Sequence, residues 1–461
     1  MRRRLPALLL GAAALAALAV ALLAMRPERP RAVVLCIGDG LGASQITFAR
    51  LLARGAGGRF AFESLPVVGL VSTWSASNAV TDSGAAATTL ATGVKTSNRA
   101  IGVDAAGRSL DSLADLARDQ GWRVGYVTNT TLTHATPAAF YGEALHRYDD
   151  TESLALQLLA SAPEVALGGG AEDFLPPTQQ GARRDGRDLL AEAAAAGYAV
   201  WTQPPERLPQ PLPRRLLGIF APDHLAFELD RRHGDAGAGQ PTLEWMTRLA
   251  LSILGDDGEP FFLLVEGGRI DHAAHSFDAA AMVPEVEAFD AAVGAVLEFQ
   301  RRRPDTLVLV TADHATGGLT INDYVDWRSF ARQRASIEAV TDAVRHPSRP
   351  LDLAGMAASS GLQDARPEHL DEIRATADDH DAKRVLGRLL AAERGVTWTP
   401  RVNPEDTKGH TGEDVPLYAG GPGAERFGGA LDNGDLPLRL RELLGWRAAA
   451  AAEPVVQWRQ D

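Results

Sequence analysis

The sequence predicts an α/β fold: a three-layer α/β/α sandwich around a large, mostly parallel sheet, with a helical insertion. Short apolar runs rich in branched residues alternate with longer helix-patterned stretches, the order that a doubly wound sheet produces. Three of these runs also lead straight into acidic residues, and an open α/β sheet binds its ligands just beyond the carboxyl ends of its strands.

The apolar runs fall at 32–37, 123–127, 164–167, 216–220, 261–265 and 306–310. They are near-continuous rather than alternating, as expected of parallel strands covered on both faces. Helix-patterned stretches lie at 109–119, 153–160, 188–196, 243–254 and 283–301. The proline-rich stretch 203–213 reads as a surface loop, and no internal repeat is present. A chain of 461 residues suits either one large sheet or two to three smaller units. The alternation breaks from about 323 to 400, where the sequence is charged, alanine-rich and helix-patterned, with Pro347 and Pro350 as interruptions. This is a helical insertion within a domain spanning 30–461. Its histidines, His346, His369 and His380, stand among charged neighbours and read as exposed surface residues.

Residues 1–29 differ from the rest. Arg2, Arg3 and Arg4 precede an uncharged apolar run from Leu5 to Met25, and Arg26, Glu28 and Arg31 follow it. Such a segment is an export signal or a membrane anchor, since roughly 20 apolar residues cross a bilayer. The absence of an A-x-A site followed by a polar start favours the uncleaved anchor. With the arginines inside, the body faces outward, periplasmic or extracellular. The only cysteine, Cys36, lies inside an apolar run, so an intramolecular disulfide is excluded and a small buried hydrophobe is favoured over a reactive thiol. A net charge of -13 excludes nucleic acid as a partner. The same sign suits a cleft whose acids hold divalent cations.

The three acidic strand ends are Gly38-Asp39-Gly40, Glu266-Gly267-Gly268 and Thr311-Ala312-Asp313-His314. Each acid alone reads equally well as a solvated turn residue. Together, beside histidines, they call for compensating cations. Asp271 and His275 are four apart, hence on one face of a helical turn, and His410 stands in a glycine-flanked loop. Imidazole with carboxylate suits zinc, and carboxylate with hydroxyl suits magnesium. Ser83 opens a run of small residues, Ser83-Gly84-Ala85-Ala86-Ala87, where a helix start would aim amide N–H groups at an anion; a plain N-cap is the alternative. Gly38 to Ala43 also fits G-x-G-x-x-A with Glu63 about 20 residues on, but an acid inside a pyrophosphate cradle defeats that dinucleotide reading.

Five motifs in order carry a resemblance to the alkaline phosphatase family. They are Gly38-Asp39-Gly40, Thr81-Asp82-Ser83-Gly84-Ala85, His134 to Ala139 with Arg147 downstream, Val265 to His275, and Thr311 to His314 followed by Gly409 to Pro416. The resemblance spans about 32–422 and is weakest over 323–407. It implies two zinc ions and one magnesium ion, the first zinc on Asp271, His275 and His410, the second on Asp39, Asp313 and His314. The magnesium would share Asp39 and be completed by Thr136 and Glu266. Ser83 would be the nucleophile, passing through a phosphoserine, and Arg147 would clamp the phosphate. His134 and His272 stand where some members carry Asp and Lys, near the magnesium and the phosphate. The implied substrates are small phosphate monoesters, and because the family is often dimeric a homodimer stays open. Rival readings are a phosphodiesterase or substrate-restricted phosphatase of the same superfamily, and a non-catalytic phosphate- or metal-scavenging surface protein. A sulfatase is disfavoured, because Ser83-Gly84-Ala85 lacks the C/S-x-P-x-R context.

Overall fold

The computed structural model describes residues 29–255, 257–346, 359–363, 365–399, 407 and 409–447. The N-terminal apolar run and the interruptions Pro347 and Pro350 lie outside the described residues. Among the described residues, no helix is long and apolar enough to cross a membrane.

The strands in chain order are β1 Ala32–Gly38, β2 Val67–Ser72, β3 Arg123–Thr131, β4 Val165–Gly169, β5 Ala199–Trp201, β6 Leu216–Ile219 and β7 Phe261–Gly267. They continue with β8 Thr306–Thr311, β9 Ala315–Thr316, β10 Thr320–Ile321, β11 Val396–Thr397, β12 His410–Thr411, β13 Val415–Gly420 and β14 Gly429–Asp432. Ten of them form one sheet in the order β14-β2-β13-β8-β1-β7-β3-β4-β6-β5. Every pair in it is parallel except those made by β13, which runs against both β2 and β8. The mostly parallel sheet is as expected, and all six apolar runs are strands of it. Strand β1 is buried along its whole length between β7 and β8. Cys36 is fully buried in it. Ile37 lies opposite both Glu266 and Thr311, so Asp39, Glu266 and Asp313 leave the sheet at one edge.

Caps set the helix ends where periodicity could not. The stretch 109–119 is helical only over Leu113–Asp119, because Ser112 and Asp115 close a capping box. The stretch 283–301 extends back to Ala279–Arg302, since Asp278 caps it by accepting from Ala281 N, and Pro284 falls near its first turn.

The insertion is helical, as expected, with helices Trp327–Arg332, Ile337–Arg345, Pro367–Ala375 and Asp379–Glu393. It has a small core of its own around Ile337, Val340, Val344, Ile373, Leu386 and Leu390. Of its three histidines only His346 is exposed as expected, paired with Asp379. His369 is buried instead: its ring accepts from Arg366 Nε at 3.1 Å and lies 3.7 Å from Glu393 Oε1, so polar partners within the insertion make burial tolerable. His380 is half-buried against His275. The exposed charges Glu368, Asp371, Glu372 and Asp381 beside these histidines hide the fact that the same helices turn an inner face to the protein.

Candidate active site

Asp39 follows β1 in a turn that requires Gly40 at φ +70°, where a side chain would also meet Asp271 Cα at 2.9 Å. The turn therefore brings Gly40, next to Asp39, against the helix Arg269–His275. On that helix the spacing of four places His275 Nε2 3.1 Å from Asp271 Oδ2, as the sequence implied. From the far end of the chain, His410 on β12 pairs with β9 and reaches within 3.0 Å of His275, Nε2 to Nε2.

Ser83 is the first residue of a buried helix, Ser83–Thr92, whose cap is the Asp82 carboxylate accepting from Ala85 N at 3.0 Å. Its Oγ lies 3.1 Å from His314 Nε2. The buried Arg147 donates to Asp82 Oδ2 at 3.5 Å and to His134 Nε2 at 3.0 Å. Because a guanidinium only donates, His134 Nε2 is an acceptor, and its Nδ1–H faces Glu266 Oε1 at 3.2 Å. Glu266 further accepts from Thr130 Oγ1 at 2.9 Å and from Thr128. Thr136 Oγ1 stands 3.5 Å from Asp39 Oδ2.

Hydrogen bonds also orient two imidazoles as ligands. His410 Nδ1–H donates to Thr81 O at 2.9 Å. Thr316 donates to Asp271 and so accepts from His314 Nδ1–H at 3.2 Å. Both rings thus present an Nε2 lone pair to the cluster, and they stack at 3.6 Å.

Three ligand groups each gather atoms within 4.8 Å: Asp271 with His314 and His410, Asp39 with Asp313 and His314, and Asp39 with His134 and Glu266. The structure brings the acids Asp39, Glu266, Asp271 and Asp313 together with His314 and His410 in these groups. His314 is shared between two groups, and His134 lies beside Asp39 and Glu266 with its Nδ1–H on the Glu266 carboxylate, while Thr136 stands against Asp39. His275 remains in contact with both Asp271 and His410. His272 lines the same cavity, which has a volume of about 210 Å³ and is bounded also by Ser83, Arg147 and Asp271.

The electrostatics fit a cation site. Asp39 and Asp313 are fully buried, and among the described residues neither Asp39 Oδ1 nor Asp313 Oδ2 receives a hydrogen bond. Burial, reinforced by Asp313, Asp271 and Glu266, holds the Asp39 carboxyl well above its ordinary range. Burial also raises Asp271, but His275, His410 and His314 outweigh it and hold that carboxyl well below its usual value. Burial holds His410 well below the ordinary histidine value, hence neutral and ready to bind a metal. Oxygen and imidazole donors in this mixture suit divalent zinc and magnesium.

Sequence reading missed Thr316, Thr128, Thr130 and His224. His224 accepts from Thr131 N at 3.0 Å and packs 4.5 Å from the His272 ring. A signal for it existed, because it follows the carboxyl end of β6 and thus the same sheet edge. The threonines carry no such signal, since a threonine beside a strand end is ordinary.

Comparison with known proteins gives the family. The family model described as alkaline phosphatase matches residues 30–445. The chain is 33% identical over 365 residues to alkaline phosphatase 4 of Bacillus subtilis, covering 77% of this chain and 75% of that protein. It is 32% identical over 466 residues to streptomycin-6-phosphate phosphatase of Streptomyces griseus, covering 91% and 92%. The crystal structure of Thermus thermophilus alkaline phosphatase superposes with a TM-score of 0.83 at 30% identity, covering 93% of this chain and 94% of that one. The chain belongs to the alkaline phosphatase family.

Proposed function

We propose that the chain hydrolyses phosphate monoesters to alcohol and inorganic phosphate through a phosphoserine on Ser83. The observation that carries this is Ser83 itself: a buried hydroxyl at a helix N-terminus, 3.1 Å from His314 Nε2, in the cavity that also holds Arg147. Asp271, His275 and His410 would hold one zinc, Asp39, Asp313 and His314 a second, and Asp39, Thr136 and Glu266 a magnesium. Bound there, such cations neutralise the buried carboxylates, lower the pKa of a hydroxyl or a water and offset charge on phosphoryl oxygens.

Ser83 Oγ gives up its proton and attacks phosphorus in line. The bond from phosphorus to the alcohol oxygen breaks, and that oxygen leaves with a proton as the free alcohol. Arg147 meets the phosphoryl oxygens with its planar fork, held in plane by Asp82 on one side and His134 on the other. Water then attacks the phosphoserine from the side the alcohol vacated, Ser83 Oγ departs, and phosphate is released. A cavity of about 210 Å³ takes the phosphoryl group and leaves most of the alcohol outside, which suits a range of monoesters.

The chain's placement follows from the same reading. Residues 1–29 act as an export signal or anchor, and the enzyme works on the periplasmic or extracellular side. A second reading, a phosphatase restricted to one substrate, is favoured by the relative named for streptomycin 6-phosphate, which is matched about as closely as the relative named only alkaline phosphatase.

Hydrolysis of p-nitrophenyl phosphate with zinc and magnesium, before and after chelation, tests the reading, with bis-p-nitrophenyl phosphate as the diester control. Monoester turnover that is lost on chelation and restored by the two metals is the expected result. Equal or greater turnover of the diester would overturn it. Absence of monoester turnover alongside hydrolysis of streptomycin 6-phosphate would establish the restricted reading instead.

A further inference from the structure

The insertion touches the phosphate cavity through a chain of charged contacts that no family role assigned above uses. Arg269, in the first turn of the helix Arg269–His275, is only 5% exposed. Its Nη1 donates to His272 Nδ1 at 2.8 Å, and its Nη2 donates to Glu338 Oε1 at 3.1 Å. The guanidinium plane lies over the Phe227 ring at 3.7 Å. Glu338 belongs to the insertion helix Ile337–Arg345, and its other oxygen takes Lys383 Nζ at 2.9 Å from the helix Asp379–Glu393.

The chemistry of this chain is directional. A guanidinium has donors only and keeps its proton at any pH the protein meets. His272 Nδ1 must therefore accept, which leaves the ring neutral with its single proton on Nε2. A ring fixed in that tautomer, lining the cavity with Ser83 and Arg147, has one N–H to offer and it is Nε2–H. Without Arg269 the same ring could carry its proton on either nitrogen and turn about its bond. Arg269 in turn is a buried cation whose position depends on Glu338, since a buried charge without its partner is strongly disfavoured.

We propose that Arg269 and Glu338 are positioning residues which fix His272 as an Nε2–H donor to the phosphoryl group, making the helical insertion part of the phosphate-binding apparatus. This rests on the phosphatase reading for what occupies the cavity. It goes beyond that reading in assigning the insertion a part in binding, through a relay that runs Lys383, Glu338, Arg269, His272.

The test is the affinity for inorganic phosphate of the full chain loaded with zinc and magnesium, measured by titration calorimetry, so that binding is read without turnover. Arg269→Met is expected to weaken phosphate binding about tenfold, the loss of one hydrogen bond to a charged group. Glu338→Gln, which keeps an acceptor but removes the charge, is expected to weaken it about threefold. The readout that separates positioning from general destabilisation is a double-mutant cycle with His272→Gln. If Arg269 acts through His272, adding Arg269→Met to His272→Gln costs little more. Histidine ring nitrogen shifts read by NMR are expected to report His272 protonated on Nε2 in the wild type and a tautomer mixture in Arg269→Met. Should Arg269→Met fail to fold, Glu338→Gln and Lys383→Met carry the same cycle.

Additive losses in the cycle, unchanged affinity in the Arg269 and Glu338 variants, or an Nδ1 proton in the wild type would each overturn the proposal. Failure of the phosphatase reading looks different: the wild type would bind phosphate with the expected variant pattern yet turn over no monoester.

Discussion

His134 takes a hydrogen bond from Arg147 on one ring nitrogen and gives one to Glu266 on the other. A single imidazole thereby connects Arg147 to one of the three ligand groups. Under the proposed function Arg147 needs this orientation, because a fork held in plane meets two phosphoryl oxygens at once. Arg147→Lys is expected to raise KM for p-nitrophenyl phosphate and the inhibition constant of phosphate by about tenfold to a hundredfold, since an ammonium cannot bridge Asp82, His134 and the anion together. Steady-state kinetics with phosphate as inhibitor check it; constants within twofold of wild type would show that the fork is not used. At this scale the sequence was informative where chemistry and position coincided. Asp39, Asp313 and His314 follow strand ends, Asp271 and His275 share a helix face, and Ser83 begins a run of small residues. It was uninformative where a residue acts only by orienting another. Thr316 fixes the His314 ring and Arg269 fixes His272, and neither role can be read without knowing what lies across the fold.

At the scale of elements, the helix Arg269–His275, which carries Asp271 and His275, is held from behind by the insertion. Gly387, in the insertion helix Asp379–Glu393, sits where an added Cβ would meet Ser276 O at 2.1 Å. Gly387→Ala is therefore expected to push the helices apart and cost roughly 1–3 kcal/mol. Thermal unfolding is expected to show a lower Tm, and a titration a weaker zinc affinity; an unchanged Tm would contradict close packing of the insertion on Ser276.

A second element-scale contact lies at the start of the helix Arg269–His275. Glu285, on the helix Ala279–Arg302, is buried and accepts from Asn129 Nδ2 at 3.0 Å. Asn129 Oδ1 in turn accepts from Gly268 N at 2.8 Å. Burial, together with the neighbouring Glu228, pushes the Glu285 carboxyl up to about 8. An acid whose folded pKa is raised binds more protons folded than unfolded between its ordinary value and the raised one, so its contribution to stability falls as pH rises from about 4.5 to about 8. Glu285→Gln removes that fall. The variant is expected to gain on wild type in denaturant unfolding at pH 9 relative to pH 5, by an amount on the order of a few kcal/mol at most. A difference independent of pH would contradict the buried neutral carboxyl. The helix itself was legible in the sequence; its first turn was not, because Pro284 hides a start that the Asp278 cap sets.

Across the whole molecule, the site exists only because β1, β7 and β8 are neighbours in one sheet, while β12 returns from far along the chain to add His410. The central strands were legible because they are covered on both faces and therefore continuously apolar. Strand β2 was not: it alternates, with Val68 and Leu70 exposed, and its partner β14 is short and half-exposed. The antiparallel β13 was missed for a different reason. It carries a proline and small residues, so it lacks the uninterrupted branched apolar run of the central strands. The insertion was recognised as helical, but its inward face, with His369 in its core and Glu338 reaching Arg269, depends on docking that no local pattern encodes.

The claim that joins these scales is that all this machinery serves one covalent step on Ser83. It is tested by incubating the metal-loaded protein with labelled phosphate at acid pH, quenching, and mapping the label by peptide mass. Label on the peptide containing Ser83, and none in Ser83→Ala, is the expected result. Steady turnover without any covalent label, or label on a residue other than Ser83, would contradict it.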